Sequence, residues 1–182
     1  AMASGLRNVL YAPHCYDAAV IRPMDDAKRA RAREYIGFAP DEFVFGMVSH
    51  NVGTPSRKAF GEVFSGFQQV AQREPRARLF VHSEPRPGAN GVDLVQLTQL
   101  YGITDKVTFT DPAKFWTHFG GDEEMNVIFN AIDCLVMPSY GEGFGVPIIE
   151  AQGAGTPVIT QYCTAMSELT HAGWCIPKGR AW

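Results

Sequence analysis

The sequence predicts a doubly wound α/β domain, a parallel sheet of about six strands with helices on both faces. Three observations predict it. Short β-branched or aromatic runs alternate with longer amphipathic runs along the chain, the pattern of repeated strand–helix–strand units with right-handed crossovers. There is no internal repeat and no low-complexity tract. The two chemically richest loops follow the first and fourth predicted strands. In a sheet ordered 3-2-1-4-5-6, that is where the winding reverses and ligands bind.

The elements follow in order. Residues 8–12 (NVLYA) read as a short strand and 25–35 as a basic helix, together a lead-in to the sheet. Residues 43–49 (FVFGMVS) form the first buried strand. A helix is expected over 56–73, with Ser56 as its cap and Phe60, Val63, Phe64, Phe67 and Val70 recurring at helical spacing. Residues 78–83 (RLFVHS) are the second strand, 92–101 a helix, and 106–110 (KVTFT) the third strand. A polar and aromatic loop is expected over 111–124, long for such a connection. Residues 124–131 are helical and 134–138 (CLVMP) the fourth strand. A helix over 146–154, a strand over 156–160 (TPVIT), a helical turn at 165–169 and a last strand at 174–176 complete the Rossmann-like pattern.

The totals narrow the class. At 182 residues, 46% hydrophobic and 12% aromatic, the chain can bury one domain's core. A net charge of −3 gives no global attraction to nucleic acid or acidic lipid. Apolar runs fall short of the ~18–20 residues that a membrane span needs. The four cysteines, Cys15, Cys134, Cys163 and Cys175, form no C-x-x-C pair and read as free thiols, mostly buried, in a reducing and therefore cytoplasmic compartment. Ala1-Met2-Ala3 reads as a cloning remnant, so residues 1–24 divide into a remnant and an interdomain lead-in, with the domain proper at 25–182.

Residues 140–150 (YGEGFGVPIIE) carry the chemistry. Gly141, Gly143 and Gly145 let a ligand approach the backbone closely, and Pro147 suits the first turn of the helix that begins there. The helix start offers free N–H groups and a positive dipole to an anion, most naturally a phosphate. Glu142 and Glu150 are poor phosphate ligands but suit paired sugar hydroxyls. A phosphate flanked by sugars describes a nucleotide-sugar. The first loop, 49–58 (SHNVGTPSRK), adds Arg57 and Lys58 at the expected start of the second helix. There they oppose the helix dipole unless an anion lies between, and they could neutralise a diphosphate without a metal ion.

These residues resemble the large retaining glycosyltransferase family 4, whose members have the GT-B fold. Glu142 and Glu150 match its E-x7-E motif, and the run PSYGEGFGVPIIEAQGAGTPVIT with TAMSEL is similar to the family almost throughout. Residues 11–23 (YAPHCYDAAVIRP) resemble the stretch leading into the family's second domain. GMVSHNVGTPSRKAF resembles the phosphate loop of mannosyltransferase-like members. The resemblance covers nearly all of residues 8–177. It implies the C-terminal donor half of a GT-B enzyme, truncated at its C-terminus and lacking the acceptor domain.

The resemblance assigns roles. Glu150 should hold the ribose hydroxyls. Glu142, with Gly143, Phe144, Gly145 and Val146, should hold the transferred sugar. Lys58, with Arg57, should hold the diphosphate. The base should lie by Val107, Thr108 and Phe109 and by the segment from His82 to Glu84. Two departures stand out. Cys15 replaces a usual glycine, and an arginine often found earlier in the phosphate loop is replaced by Ser49-His50-Asn51. Asn51 or His50 substitutes for that arginine, or Arg57 takes its role. His14 is a candidate for a sugar or interdomain contact, and Trp116 for the site's lining. His118 and His171 read as surface and Trp174 as core. No histidine has metal-ligand spacing with a cysteine, so neither metal nor cofactor is expected.

The implied activity is transfer of a hexose from a GDP- or UDP-linked donor to an acceptor hydroxyl with retention, the phosphate loop leaning to GDP-mannose-like donors. The acceptor, a glycan, lipid or small molecule, is not legible. Expected partners are the donor, that acceptor and an N-terminal acceptor domain, with peripheral contact at the inner membrane face open to the full-length enzyme. The isolated domain is expected to be inactive alone. The enzyme alternative is a GT-B-fold sugar-nucleotide epimerase, which needs no acceptor. The non-enzyme alternative is a degenerate nucleotide-sugar-binding module, against which the joint retention of Glu142, Glu150 and Lys58 argues. A dinucleotide oxidoreductase would need G-x-G-x-x-G after the first strand and a P-loop NTPase G-x-x-x-x-G-K-[ST]; neither is present.

Overall fold

In the computed structural model, which describes residues 10–53, 55–86, 90–117 and 120–177, six parallel strands form one sheet in the order β3-β2-β1-β4-β5-β6. The strands are β1 (Phe43–Val48), β2 (Ala77–His82), β3 (Val107–Phe109), β4 (Cys134–Met137), β5 (Val158–Gln161) and β6 (Gly173–Ile176). The helices are α1 (Asp26–Tyr35), α2 (Phe60–Arg73), α3 (Leu94–Leu100), α4 (Pro112–Thr117), α5 (Gly121–Ala131), α6 (Val146–Gly153) and α7 (Met166–Leu169). The expected order and its reversal between β1 and β4 are both present.

The alternation of side chains along β1 and β2 builds two cores. Val44, Val48 and Phe80 face one side, with residues of α1, α5, α6 and α7. Met47, Leu79 and Val81 face the other, with Phe60, Val63, Phe64 and Phe67 of α2 and Leu94 of α3. Those four α2 residues form the stripe that places the helix on the sheet. Val70, expected to continue it, is 38% exposed because it lies beyond the helix's packed portion. Gly46 is required where β1 meets α5: a Cβ there would lie 2.3 Å from Ile132 Cδ1.

The lead-in segment is tied to α5 by two buried asparagines. Asn126 Oδ1 accepts from Arg22 N at 3.0 Å, and Asn130 Oδ1 from Met24 N at 2.8 Å. Ile21 is buried in the core beside them. Behind α1, Arg33 pairs with Asp133 at 2.7 Å and donates to Ala131 O, joining this layer to the start of β4.

Several expectations are corrected. Residues 10–12 form no strand, and Asn8 and Val9 lie outside the described residues. Helix α2 begins at Phe60, not Ser56, because Ala59 adopts a left-handed conformation (φ 57°) that a helix cannot continue through. Ser56 instead accepts Lys58 N in a turn at 3.3 Å. The loop expected over 111–124 contains α4 and the first turn of α5. Asp111 Oδ1 accepts Ala113 N at 2.8 Å and Pro112 takes the first helical position, so α4 starts on an ordinary cap. Trp174 is 63% exposed: it lies on edge strand β6, at the rim of an open groove lined by Val63, Phe67 and Val70 of α2. Of the cysteines only Cys134 is buried, its thiol pushed up to about 11 by burial; Cys15 is exposed, Cys163 and Cys175 are half-buried, and all four are free.

Candidate functional site

The segments following β1 and β4 meet at the carboxyl edge of the sheet, where Tyr140 N donates to Arg57 O at 2.9 Å. Gly145, at φ 96°, turns the chain into α6, and Pro147 stands in the helix's first turn. Pro147 has no N–H and Ile148 N donates to Gly145 O at 2.9 Å, so of the first three residues of α6 only Val146 keeps a backbone N–H without an intrahelical partner. A Cβ at Gly145 would lie 2.9 Å from Ile148 Cδ1, so both its conformation and its surroundings require glycine.

Three charged groups converge here. Lys58 Nζ lies 2.6 Å from Glu142 Oε1 and Arg57 Nη1 lies 2.8 Å from Glu142 Oε2. The Lys58 and Glu142 side chains are 10% and 6% exposed, and Arg57 reaches in from solvent at 54%. Burial alone would raise the Glu142 carboxyl, but hydrogen bonds from Arg57 and Lys58 outweigh it and hold it below its ordinary value. Ser139 also favours the ionised form, although its buried Oγ makes no hydrogen bond of normal geometry. The cations sit in a turn ahead of α2, not in the helix itself, and reach across to Gly141 and Glu142 in the loop that leads into α6.

The second glutamate is in a different state. Glu150, one helical turn into α6, is half-buried, and among the described residues its carboxylate has no hydrogen bond or ion pair. Burial, and then the charge of Asp122 at the start of α5, push its pKa up to about 6. A carboxylate with two unused oxygens at the sheet's ligand edge is suited to accept from paired hydroxyls.

The remaining candidates divide. His82 ends β2, with Nδ1 2.8 Å from Thr110 Oγ1, and Phe115 of α4 packs on it edge-on at 5.3 Å. Phe115 also reaches His50 and Trp116, so an aromatic group covers the ends of β1 and β2. Trp116 is 59% exposed and donates through Nε1 to Glu84. Thr108 and Phe109 line a cavity with Tyr35, Phe80, Thr110 and Asp111; Val107 does not reach it, and Val107 and Phe109 both pack against the α2–α3 core. Asn51 is 1% exposed and spends its amide on the neighbouring loop: Nδ2 donates to Glu84 O and Val92 O, and Oδ1 accepts Val92 N at 3.0 Å. Its side chain therefore has no free donor for a phosphate and is not brought to the Arg57–Lys58 pair. His14 is exposed and packs edge-on against Phe144 at 5.2 Å. His171 is exposed, and His118 lies outside the described residues.

Sequence reasoning missed Thr164. Its Oγ1 accepts Glu142 N at 3.0 Å, and Cys163 Sγ donates to Tyr140 O at 3.2 Å, so the turn after β5 fixes the glycine loop. Thr164 holds φ at 51°, an uncommon conformation for a β-branched residue and the one signal a sequence could not display. Three buried serine hydroxyls lie just beyond β1, β2 and β4: those of Ser49 and Ser83 have no partner among the described residues, and that of Ser139 lies beside Glu142. They gather at the ligand edge of the three central strands.

Comparison with known proteins decides the family. The model of the family described as "Glycosyl transferases group 1" matches residues 42–181. The chain belongs to the group 1 glycosyl transferases. It is similar to a D-inositol 3-phosphate glycosyltransferase of Nocardia farcinica, 30% identical over 156 residues, covering 84% of this chain and 32% of that protein. It is 31% identical over 157 residues to a mannosylfructose-phosphate synthase of Agrobacterium fabrum, covering 81% of this chain and 31% of that one. The chain thus spans about a third of the length of these curated relatives. Among solved structures, it resembles the C-terminal domain of a group 1 glycosyl transferase (LpcC) of Francisella tularensis, with a TM-score of 0.68 at 20% identity, covering 91% of this chain and 82% of that one. It also resembles Anabaena HepE, whose structure is a complex with UDP and glucose, with a TM-score of 0.68 at 20% identity over 97% of this chain and 46% of that one. The fold is that of the C-terminal domain of a GT-B glycosyltransferase. No helix among the described residues is long and apolar enough to cross a membrane.

Proposed function

We propose that this group 1 glycosyl transferase domain is the donor side of a retaining hexosyltransferase that uses a nucleoside diphosphate sugar without a metal ion. The observation that carries the reading is the convergence of Lys58 and Arg57 on Glu142 in the glycine loop that leads into α6, with an unpaired carboxylate, Glu150, one turn inside that helix. The diphosphate lies between the two cations and the α6 amides. Glu150 accepts from the ribose hydroxyls. Glu142 and the backbone of Gly143, Phe144, Gly145 and Val146 face the sugar. The base takes the ground near Thr108, Phe109 and His82.

In the reaction, the bond from the anomeric carbon to the leaving phosphate oxygen breaks. A new bond forms on the same face to the acceptor oxygen, and the acceptor's proton passes to the departing phosphate. Negative charge on the diphosphate grows along this path. Lys58, Arg57 and the helix dipole therefore stabilise the transition state more than the bound donor, which is what lowers a barrier. Glu142 orients the sugar instead of acting as a base, since the acceptor's proton passes to the departing phosphate. Acceptor contacts fall to another domain of the full-length enzyme, and the mannosyltransferase-like phosphate loop favours GDP-mannose over UDP-sugars.

A thermal-shift panel of UDP, GDP, ADP, NAD and sugar conjugates tests the reading. A ligand at ~100 times its dissociation constant adds about 2.7 kcal/mol, a rise of roughly 5–10 °C for a domain of this size. A response to one nucleoside diphosphate and its sugar conjugate is the expected result. A response to NAD alone refutes the proposal.

A further inference from the structure

The two cations assigned to the diphosphate are already occupied. Both oxygens of Glu142 are taken, Oε1 by Lys58 at 2.6 Å and Oε2 by Arg57 at 2.8 Å, within a side chain only 6% exposed. A site that had only to hold phosphate would gain nothing from this carboxylate, which repels an incoming anion and draws one donor of each cation away from it. Resting on the donor-site reading above, we propose that Glu142 selects sugar-bearing diphosphates over bare ones. It holds Lys58 and Arg57 against an anion that brings no sugar, and releases them when sugar hydroxyls replace the cations as donors to its oxygens.

The selection works by exchange. A buried carboxylate stripped of its donors is strongly disfavoured. A nucleoside diphosphate offers this position only acceptor oxygens, so it leaves Glu142 unsatisfied if it takes the cations. A hexose carries vicinal hydroxyls that restore two donors. Glu142 cannot readily swing aside, because its backbone N–H is held by Thr164 Oγ1 at 3.0 Å and the neighbouring Tyr140 is bonded to both Arg57 O and Cys163 Sγ. The carboxylate stays and its partners change. Once the sugar has been transferred, Glu142 recovers Lys58 and Arg57, which favours departure of the sugar-free diphosphate.

Titration calorimetry on the 182-residue chain at fixed neutral pH, with pyrophosphate, UDP, GDP, UDP-glucose and GDP-mannose, tests this. Glu142→Gln should bind pyrophosphate and the preferred nucleoside diphosphate about tenfold tighter or more, the scale of one charged hydrogen bond exchanged. The corresponding sugar conjugate should gain less or lose affinity. Adding Lys58→Met to Glu142→Gln should cancel the gain, which a purely structural effect would not do. Should the Gln variant fail to fold, Glu142→Asp keeps the charge but is too short to bridge both cations, and should shift affinities in the same direction. Unchanged or weaker binding of pyrophosphate and nucleoside diphosphate by these variants, with wild-type binding intact, overturns the proposal while the donor-site reading stands. No binding of any of the five ligands by wild type or variants overturns both.

Discussion

Glu150→Gln should remove a pH dependence that wild-type donor binding shows between pH 7 and pH 5. The carboxyl is pushed up to about 6, first by burial and then by Asp122, and it has no bonded partner of its own among the described residues. If ribose hydroxyls donate to it, only the ionised form binds well. About nine-tenths of the protein is competent at pH 7 and about one-tenth at pH 5, so apparent affinity should fall about tenfold over that range. A nucleotide-sugar is the right probe, because its diphosphate carries no proton that titrates there. Calorimetry at half-unit steps reads the curve, and Glu150→Gln should bind more weakly but with a flat profile. The same shift has the opposite effect on stability. A folded value above the ordinary 4.5 means that the charged carboxylate opposes folding, fully above about pH 6 and not at all below about 4.5. The move from 4.5 to about 6 corresponds to at most about 2 kcal/mol, and to about 1 kcal/mol after allowing for screening at its exposed part. An identical pH profile in wild type and Glu150→Gln, or equal affinity for the two proteins at pH 7, would refute the assignment of the ribose to this side chain.

Three further outcomes are expected. Lys58→Ala should weaken nucleoside diphosphate more than nucleoside, by about tenfold or more; equal losses for both in parallel titrations would show that Lys58 does not face the phosphates. Gly46→Ala should cost about 1–3 kcal/mol in denaturant melts, because its Cβ would lie 2.3 Å from Ile132 Cδ1, and Ile132→Val should recover part of the loss by removing that methyl. Arg33→Met should cost about 1–3 kcal/mol, since it removes the buried partner of Asp133 and leaves it the half-exposed Arg29 and the Val44 N–H; a loss under 1 kcal/mol would show that these suffice.

The fold was legible because strand identity and connection handedness are set by short-range patterns. The 43–49 run alternates sides, so Val44 and Met47 reach different cores, and the winding rule then orders the strands. The glycine loop and Pro147 likewise announce a helix start from composition alone. What the sequence concealed depends on conformations that propensity disfavours or on long-range partners. Ala59 is a good helix former held left-handed, so the predicted start of α2 ran four residues early. Asp111-Pro112 did carry a helix-start signal, but the aromatic residues after it read as loop until they packed over His82. Trp174 has the composition of a core residue, and only its place on an edge strand exposes it.

The candidate site divides along the same line, and the division bears on mechanism. Arg57, Lys58, Glu142 and Glu150 could be named from residue type and spacing, because the chemistry of a diphosphate between sugars asks for cations and carboxylates at the switch point. Their pairing could not be named. Spacing treats the two glutamates as equivalents, yet one is fully paired and held ionised while the other is unpaired and raised to about 6. The difference arises from the turn at Ala59, which aims the cations across the edge, and from Thr164, which fixes the glycine loop from the far side of β5. A site in which one carboxylate waits for ligand and the other must be released by it is asymmetric before any donor arrives. In the donor site we propose, that asymmetry lets the nucleoside end dock on Glu150 without disturbing an ion pair, and leaves the exchange at Glu142 to the end that carries the sugar.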